Sequence, residues 1–110
     1  MPLRTHARTA PKLPWRLMAY DLTFKKEALA EWEKLGSTIK AQFKKKLAER
    51  LESPHVPASR LHGAANRYKI KLRASGFRLV YEVRDRELVV VVVAVGKRER
   101  GKVYGKAARR

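Results

Sequence analysis

"YKIKLRASGFRLVY", residues 68–81, carries two period-2 patterns on either side of a turn. Side chains alternate sides along a strand. Tyr68, Ile70 and Leu72 therefore share one face of a first strand, with Lys69, Lys71 and Arg73 on the other. In the second strand Phe77, Leu79, Tyr81 and Val83 form the apolar side and Arg78 points away from it. If both apolar sets meet one core, an even position must pair with an odd one. A tight turn through Ala74, Ser75 and Gly76 then sets Lys71 opposite Arg78, or one step from it. Like charges facing each other across a sheet cost stability. Charged alternation usually means a solvated face. Here the only acid that alternation adds from these strands is Glu82, a poor recipe for a neutral surface. The face reads as a phosphate site.

Working outward, "RDRE" (84–87) is a polar turn into Leu88–Val95, an uninterrupted apolar run. A strand of that kind is covered on both faces and belongs at the centre of a sheet. Upstream, "AYDLTF" (19–24) reads as a first strand. In "KKEALAEWEKLG", Ala28, Trp32 and Leu35 share a helical face, Gly36 is a C-terminal stop and Ser37 an N-cap for the next helix. There Ile39, Phe43, Leu47 and Leu51 recur every four residues, until Ser53-Pro54 ends the pattern. Residues 54–66 read as a loop, and the tail holds one short helical turn around Val103–Ala108. The expected architecture is α+β, in the order β-α-α-β-β-β with a short C-terminal helical tail. A helical hairpin packs on a small antiparallel sheet, whose other face stays open.

With 27 Lys plus Arg against 10 Asp plus Glu, the chain carries +17 and a pI near 10.9. Such an excess repels itself in a compact state and calls for a polyanionic partner. Nucleic acid comes first, because each neutralised phosphate releases counterions. An anionic membrane surface comes second, although the apolar run is far short of the ~20 residues of a spanning helix. Without cysteine there is no thiol catalysis, disulfide or thiolate metal site. His6, His55 and His62 lack metal-ligand spacing, so neither metal nor cofactor is expected. At 110 residues the chain suits one domain, placed at 18–110. The opening "MPLRTHARTAPKLPWRL" (1–17) reads as a flexible basic extension, or as the product of a start drawn upstream of Met18. It has no secretory apolar segment; an organelle transit peptide is the less favoured reading.

Where the apolar strand ends, "GKRER" places Lys97, Arg98 and Arg100 at the rim, with Tyr104 close behind. An aromatic ring beside cations suits RNA, whose unpaired bases stack on rings and guanidinium planes. The spacing equally allows Tyr104 to dock the tail on the core. Cleaving RNA needs a group that takes the 2′-OH proton, one that protonates the leaving oxygen, and a clamp for the phosphorane charge. No His or Glu sits in the cluster for this; His62 is only in the preceding loop. A lysine crowded by cations gives up its proton more easily, so Lys69 or Lys71 is a candidate base. Arg78 and Arg98 are candidates to hold phosphate oxygens bidentately.

"MAYDLTFKKEALAEWEKLGSTIKAQFKKKLAERLESP" (18–54), "YKIKLRASGFRLVYEV" (68–83) and "VVVVVAVGKRERGKVY" (89–104) resemble the RelE toxins of bacterial toxin–antitoxin pairs. The likeness runs from Met18 almost to the C-terminus in unbroken order. It implies a metal-independent mRNA endonuclease that acts on the ribosome in the cytoplasm. Such an enzyme cuts the A-site codon by 2′-OH attack and leaves a 2′,3′-cyclic phosphate. On matching positions, Lys69 and Lys71 take the roles of base and transition-state stabiliser, and Arg78 that of phosphate clamp. Arg98 becomes general acid or leaving-group stabiliser, and Tyr104 stacks on a base. Arg73, Lys97, Arg100 and the helix lysines Lys40, Lys44, Lys45 and Lys46 become RNA contacts, the last four against 16S rRNA. A RelB-type antitoxin would wrap the domain and disturb the tail carrying Tyr104. His62 departs from the arginine frequent in this loop, and Phe77 from a frequent tyrosine. The rivals are a ParE-type toxin, directed at DNA gyrase, and a non-catalytic ribosome- or RNA-binding protein.

Overall fold

The computed structural model describes residues 20–97 and 102–110. The basic extension 1–17, Met18, Arg98 and Arg100 lie outside the described residues.

Strand β1 (Asp21–Phe24) leads into helix α1 (Lys26–Glu33) and helix α2 (Ser37–Glu52). A 3-10 turn at Pro57–Ser59 interrupts the following loop. Strands β2 (Arg67–Leu72), β3 (Phe77–Arg84) and β4 (Val89–Lys97) come next, and helix α3 (Lys102–Ala108) closes the chain. The sheet order is β1-β4-β3-β2. The long apolar strand is central, as its composition requires. β2, β3 and β4 form an antiparallel meander, while β1 pairs parallel with β4, so the sheet is mixed. The two-helix crossover between β1 and the meander permits that parallel pairing, which no tight turn could make.

Ala28 and Trp32 of α1, and Phe43 and Leu47 of α2, are the buried positions of the helical hairpin. The i, i+4 spacing stacks each pair on one face. Trp32 sits between Phe24 (centroids 5.3 Å apart) and Phe43 (6.2 Å), joining β1, α1 and α2. The link between the helices differs from expectation. α1 ends in a tightened turn, with Leu35 N–H donating to Trp32 O at 3.0 Å. Gly36, in an extended conformation, is the N-cap of α2, and Ser37 is already helical. Glycine serves there because the backbone alone makes the first bond, Lys40 N–H to Gly36 O.

The second face of the sheet is not open. Val103 and Ala107 of α3 bury themselves against Val80, Val93 and Ala94. A bulge makes this possible: Val80 pairs with Ala94 and Tyr81 with Val92, leaving Val93 as the extra residue. Val93 and Ala94 thus both join the second cluster, while Val95 returns to the main core. Gly96 completes the seat, since a Cβ there would lie 3.2 Å from Val103 Cγ2. The continuous valine run is explained: β4 is covered on both sides.

Candidate RNA-cleavage face

The hairpin register brings Tyr68 against Tyr81, Ile70 against Leu79 and Leu72 against Phe77, all toward the helices. Lys71 therefore faces Arg78 directly and Lys69 faces Val80. The turn that fixes this register passes through Gly76, whose φ of +79° is a left-handed value that glycine adopts without strain. Arg78 in turn lies opposite Gly96. The row across the sheet runs Lys71, Arg78, Gly96, and α3 rises over the glycine. Tyr104, half-buried on α3, places its ring 6.0 Å from Lys69 Nζ, at cation–π range. Four of the five candidate catalytic residues thus gather on one face; Arg98 lies outside the described residues.

Glu82 does not dilute this cluster. Its carboxylate is taken by Arg67 (3.0 Å) and Arg84 (3.0 Å), on the side of Lys69 away from Lys71. Burial opposes its charge, but the hydrogen bonds from Arg84 and Arg67 prevail and hold its pKa below the ordinary value. Arg67 is the next member of the Lys69–Lys71 alternation, so period 2 could have revealed it as the partner of the acid.

The other candidate RNA contacts divide. A groove of about 540 Å³ between α2 and the hairpin tip is lined by Lys45, Lys46, Lys71 and Arg73, with Gln42 and one acid, Glu49. Lys40 and Lys44 do not line it. Lys97 does not join the face of Lys69, Lys71 and Arg78: it pairs with Phe77 on the helix-covered side, its Nζ 5.9 Å from that ring. A second groove of about 540 Å³ borders Lys69 and is lined by Arg60, His62 and the small residues Gly63, Ala64 and Ala65. Arg60 carried no periodic signal, because it lies in the loop. Arg50, one of the cations of α2, serves the fold instead. It donates to Tyr81 Oη at 2.8 Å, and that hydroxyl donates to Pro54 O at 2.7 Å. His55 bridges Tyr68 Oη (2.9 Å) and Asp85 Oδ1 (2.8 Å), while Tyr20 donates to Asp85 at 2.6 Å. That hydrogen bond, with some burial, pushes the Tyr20 pKa up to about 12. Among the described residues no group of three or more His, Cys, Asp or Glu converges for a metal, and no helix is long and apolar enough to cross a membrane.

Residues 22–101 match the family described as the ParE toxin of the type II toxin–antitoxin system parDE. The mRNA interferase toxin RelE of Escherichia coli (strain K12) is 58% identical over 93 residues, which span 84% of this chain and 98% of that protein. A free, doubly substituted form of E. coli toxin RelE superposes with a TM-score of 0.78 at 55% identity, over 84% of this chain and 97% of the other. The toxin of the intact E. coli RelBE toxin–antitoxin complex gives a TM-score of 0.72 at 58% identity, over 74% and 100%.

Proposed function

The chain belongs to the RelE/ParE family of toxins, and from that premise we propose that it cleaves ribosome-bound mRNA at the face described above. It is an mRNA interferase of the RelE type, an endoribonuclease toxin paired with a RelB-type antitoxin. Although the matching family description names ParE, the identity of 58% is to an mRNA interferase, which favours RNA over gyrase as the target.

The observation that carries the assignment of the site is the convergence of Lys69, Lys71, Arg78 and Tyr104 on one face of the sheet. The 2′-oxygen attacks the adjacent phosphorus in line, the P–O5′ bond breaks, and a 2′,3′-cyclic phosphate remains. The Lys69–Lys71 pair takes the 2′-OH proton and offsets the charge of the phosphorane, while Arg78 donates to its equatorial oxygens. Arg98 follows β4 in sequence and supplies a proton or a positive charge to the departing 5′-oxygen. Tyr104 stacks on a base and holds the attacking nucleotide in line. Lys45, Lys46 and Arg73 contact phosphates of ribosomal RNA without reading sequence. Residues 18–110 carry the whole activity, which is exercised in the cytoplasm, where ribosomes translate.

Primer extension on a defined mRNA, with programmed ribosomes and with naked RNA, tests this reading. Cuts should fall in the A-site codon and appear only with ribosomes, because the site lacks a strong acid–base pair and relies on imposed geometry. Equal cutting of naked RNA would refute the ribosome dependence; no cutting in either arm would refute the endonuclease.

A further inference from the structure

β1 pairs with β4 only as far as Val92, yet β4 continues to Lys97. Beyond that point the β1-side edge of β4 presents backbone groups with no strand to take them, and such groups must find other partners. They find side chains from two different layers. Val93 O accepts from Arg110 Nη1 at 3.0 Å, and Val95 N–H donates to Glu31 Oε1 at 3.0 Å. Glu31 belongs to α1, on the helical-hairpin side; Arg110 follows α3, on the catalytic side. The two meet at this edge. Arg110 grips the Glu31 carboxylate bidentately at 2.9 and 3.1 Å, and Lys106 Nζ reaches Oε2 at 2.7 Å.

The apolar seat of α3 is small, with Tyr104 and Leu61 packed at its margin. A seven-residue helix does not persist alone, and its buried side chains are only Val103 and Ala107. Two small buried side chains fix a helix against a sheet along one line, so its rotation about that line is set by the groups on either side. Arg67 Nη1 donates to Ala107 O at 2.5 Å and Lys25 Nζ to Arg110 O, which secures the C-terminal end. Tyr104 sits between the Val103 anchor and Lys106, the first residue of the clasp. Its distance of 6.0 Å from Lys69 is at the outer limit of a cation–π contact, so a small rotation of α3 breaks it.

We infer that Glu31 is a positioning residue for cleavage: from the opposite layer it clasps α3 through Lys106 and Arg110 and so sets the Tyr104 ring beside Lys69. The inference rests on the role proposed above for Tyr104. Ionised side chains in partly buried hydrogen bonds are the strong ones, and this carboxylate accepts four hydrogen bonds.

The test uses the full chain labelled with 3-fluorotyrosine. Its four tyrosines give four fluorine resonances, assigned by Tyr→Phe variants. Glu31→Gln should move or broaden the Tyr104 resonance and leave that of buried Tyr81 in place. On programmed ribosomes its single-turnover rate should fall about tenfold with half-saturation unchanged, the signature of lost transition-state positioning. Arg110→Gln should reproduce both effects from the other side of the clasp, and it answers the question if Glu31→Gln fails to fold. A Tyr104 resonance unmoved in a folded variant overturns the inference. A moved resonance with a parental cleavage rate overturns it too. Tyr104→Ala then places the fault: undiminished cleavage would locate it in the role given to Tyr104, and lost cleavage in the clasp.

Discussion

Lys71 and Arg78 carry the same charge at directly opposed positions of β2 and β3. A fold selected for stability alone would place an acid at one of them, so the proposed phosphate clamp sets function against stability at this pair. Arg78→Gln should therefore separate the two. Cleavage should fall by about 10²–10³-fold, as when one donor to a developing oxyanion is lost. Folding stability should rise by roughly 0.2–1 kcal/mol as the repulsion is relieved. Single-turnover cleavage and urea denaturation on the same preparation measure both. A destabilised variant would mean that Arg78 has a structural partner more important than its like-charged neighbour. At this scale much was legible in the sequence. Period 2 gives the faces, and the even–odd rule puts Lys71 opposite Arg78 or one step from it; the strand register decides for directly opposite. Arg60 was not legible, because loop residues carry no periodicity. Lys97 was misplaced because distance from the strand end says nothing about which face a residue takes.

At the scale of elements, α3 shows how the two kinds of signal differ. α1 and α2 announce themselves through apolar residues at four-residue spacing, since burial of those side chains makes them helical. α3 buries Val103 and Ala107, with Tyr104 packed at the margin of their cluster, and is tied down by ion pairs, which leave a short apolar pattern to read. Its weak pattern is a consequence of how it is docked, and the expectation of an open sheet face followed from missing that. The docking has a pH signature. Burial works against the charge of Glu31, but hydrogen bonds from Arg110, Lys106 and the Val95 N–H lower its pKa from 4.5 to about 2. A depressed folded-state pKa contributes stability that is complete above the unfolded value and is lost as pH falls through the folded one. Between about pH 5.5 and about pH 3 the parent protein should therefore lose more stability than Glu31→Gln. Glu82 and Asp85, also held low, titrate alike in both proteins, so the difference belongs to Glu31. Equal losses in denaturation at the two pH values would show that the clasp adds nothing to the fold.

For the whole molecule, a charge of +17 on 110 residues is a standing repulsion that a polyanion relieves. The structure divides that charge by use. Arg50, Arg67, Lys106 and Arg110 are engaged inside the fold, with Tyr81, Glu82 and Glu31. Lys69, Lys71 and Arg78 gather on the face proposed for cleavage. Lys45, Lys46 and Arg73 line the groove beside it, joined to that face by Lys71, which borders both. A continuous cationic path thus leads from the cleavage face round the edge strand β2 to α2, on the surface that would meet ribosomal RNA. If Lys45 and Lys46 each neutralise one phosphate, replacing both with alanine should reduce the slope of log K against log salt by about 1.4–1.8. The rate at saturating ribosome should stay close to parental, because neither residue lies on the face proposed for cleavage. Titration of ribosome binding across a salt series measures the slope. An unchanged slope with weaker binding would mean that the lysines act by shape rather than by charge, and an unchanged affinity would take the groove out of the interface. A slope reduced by the stated amount would mean that ribosome affinity and the cleavage step are set by separate groups of cations on one small domain.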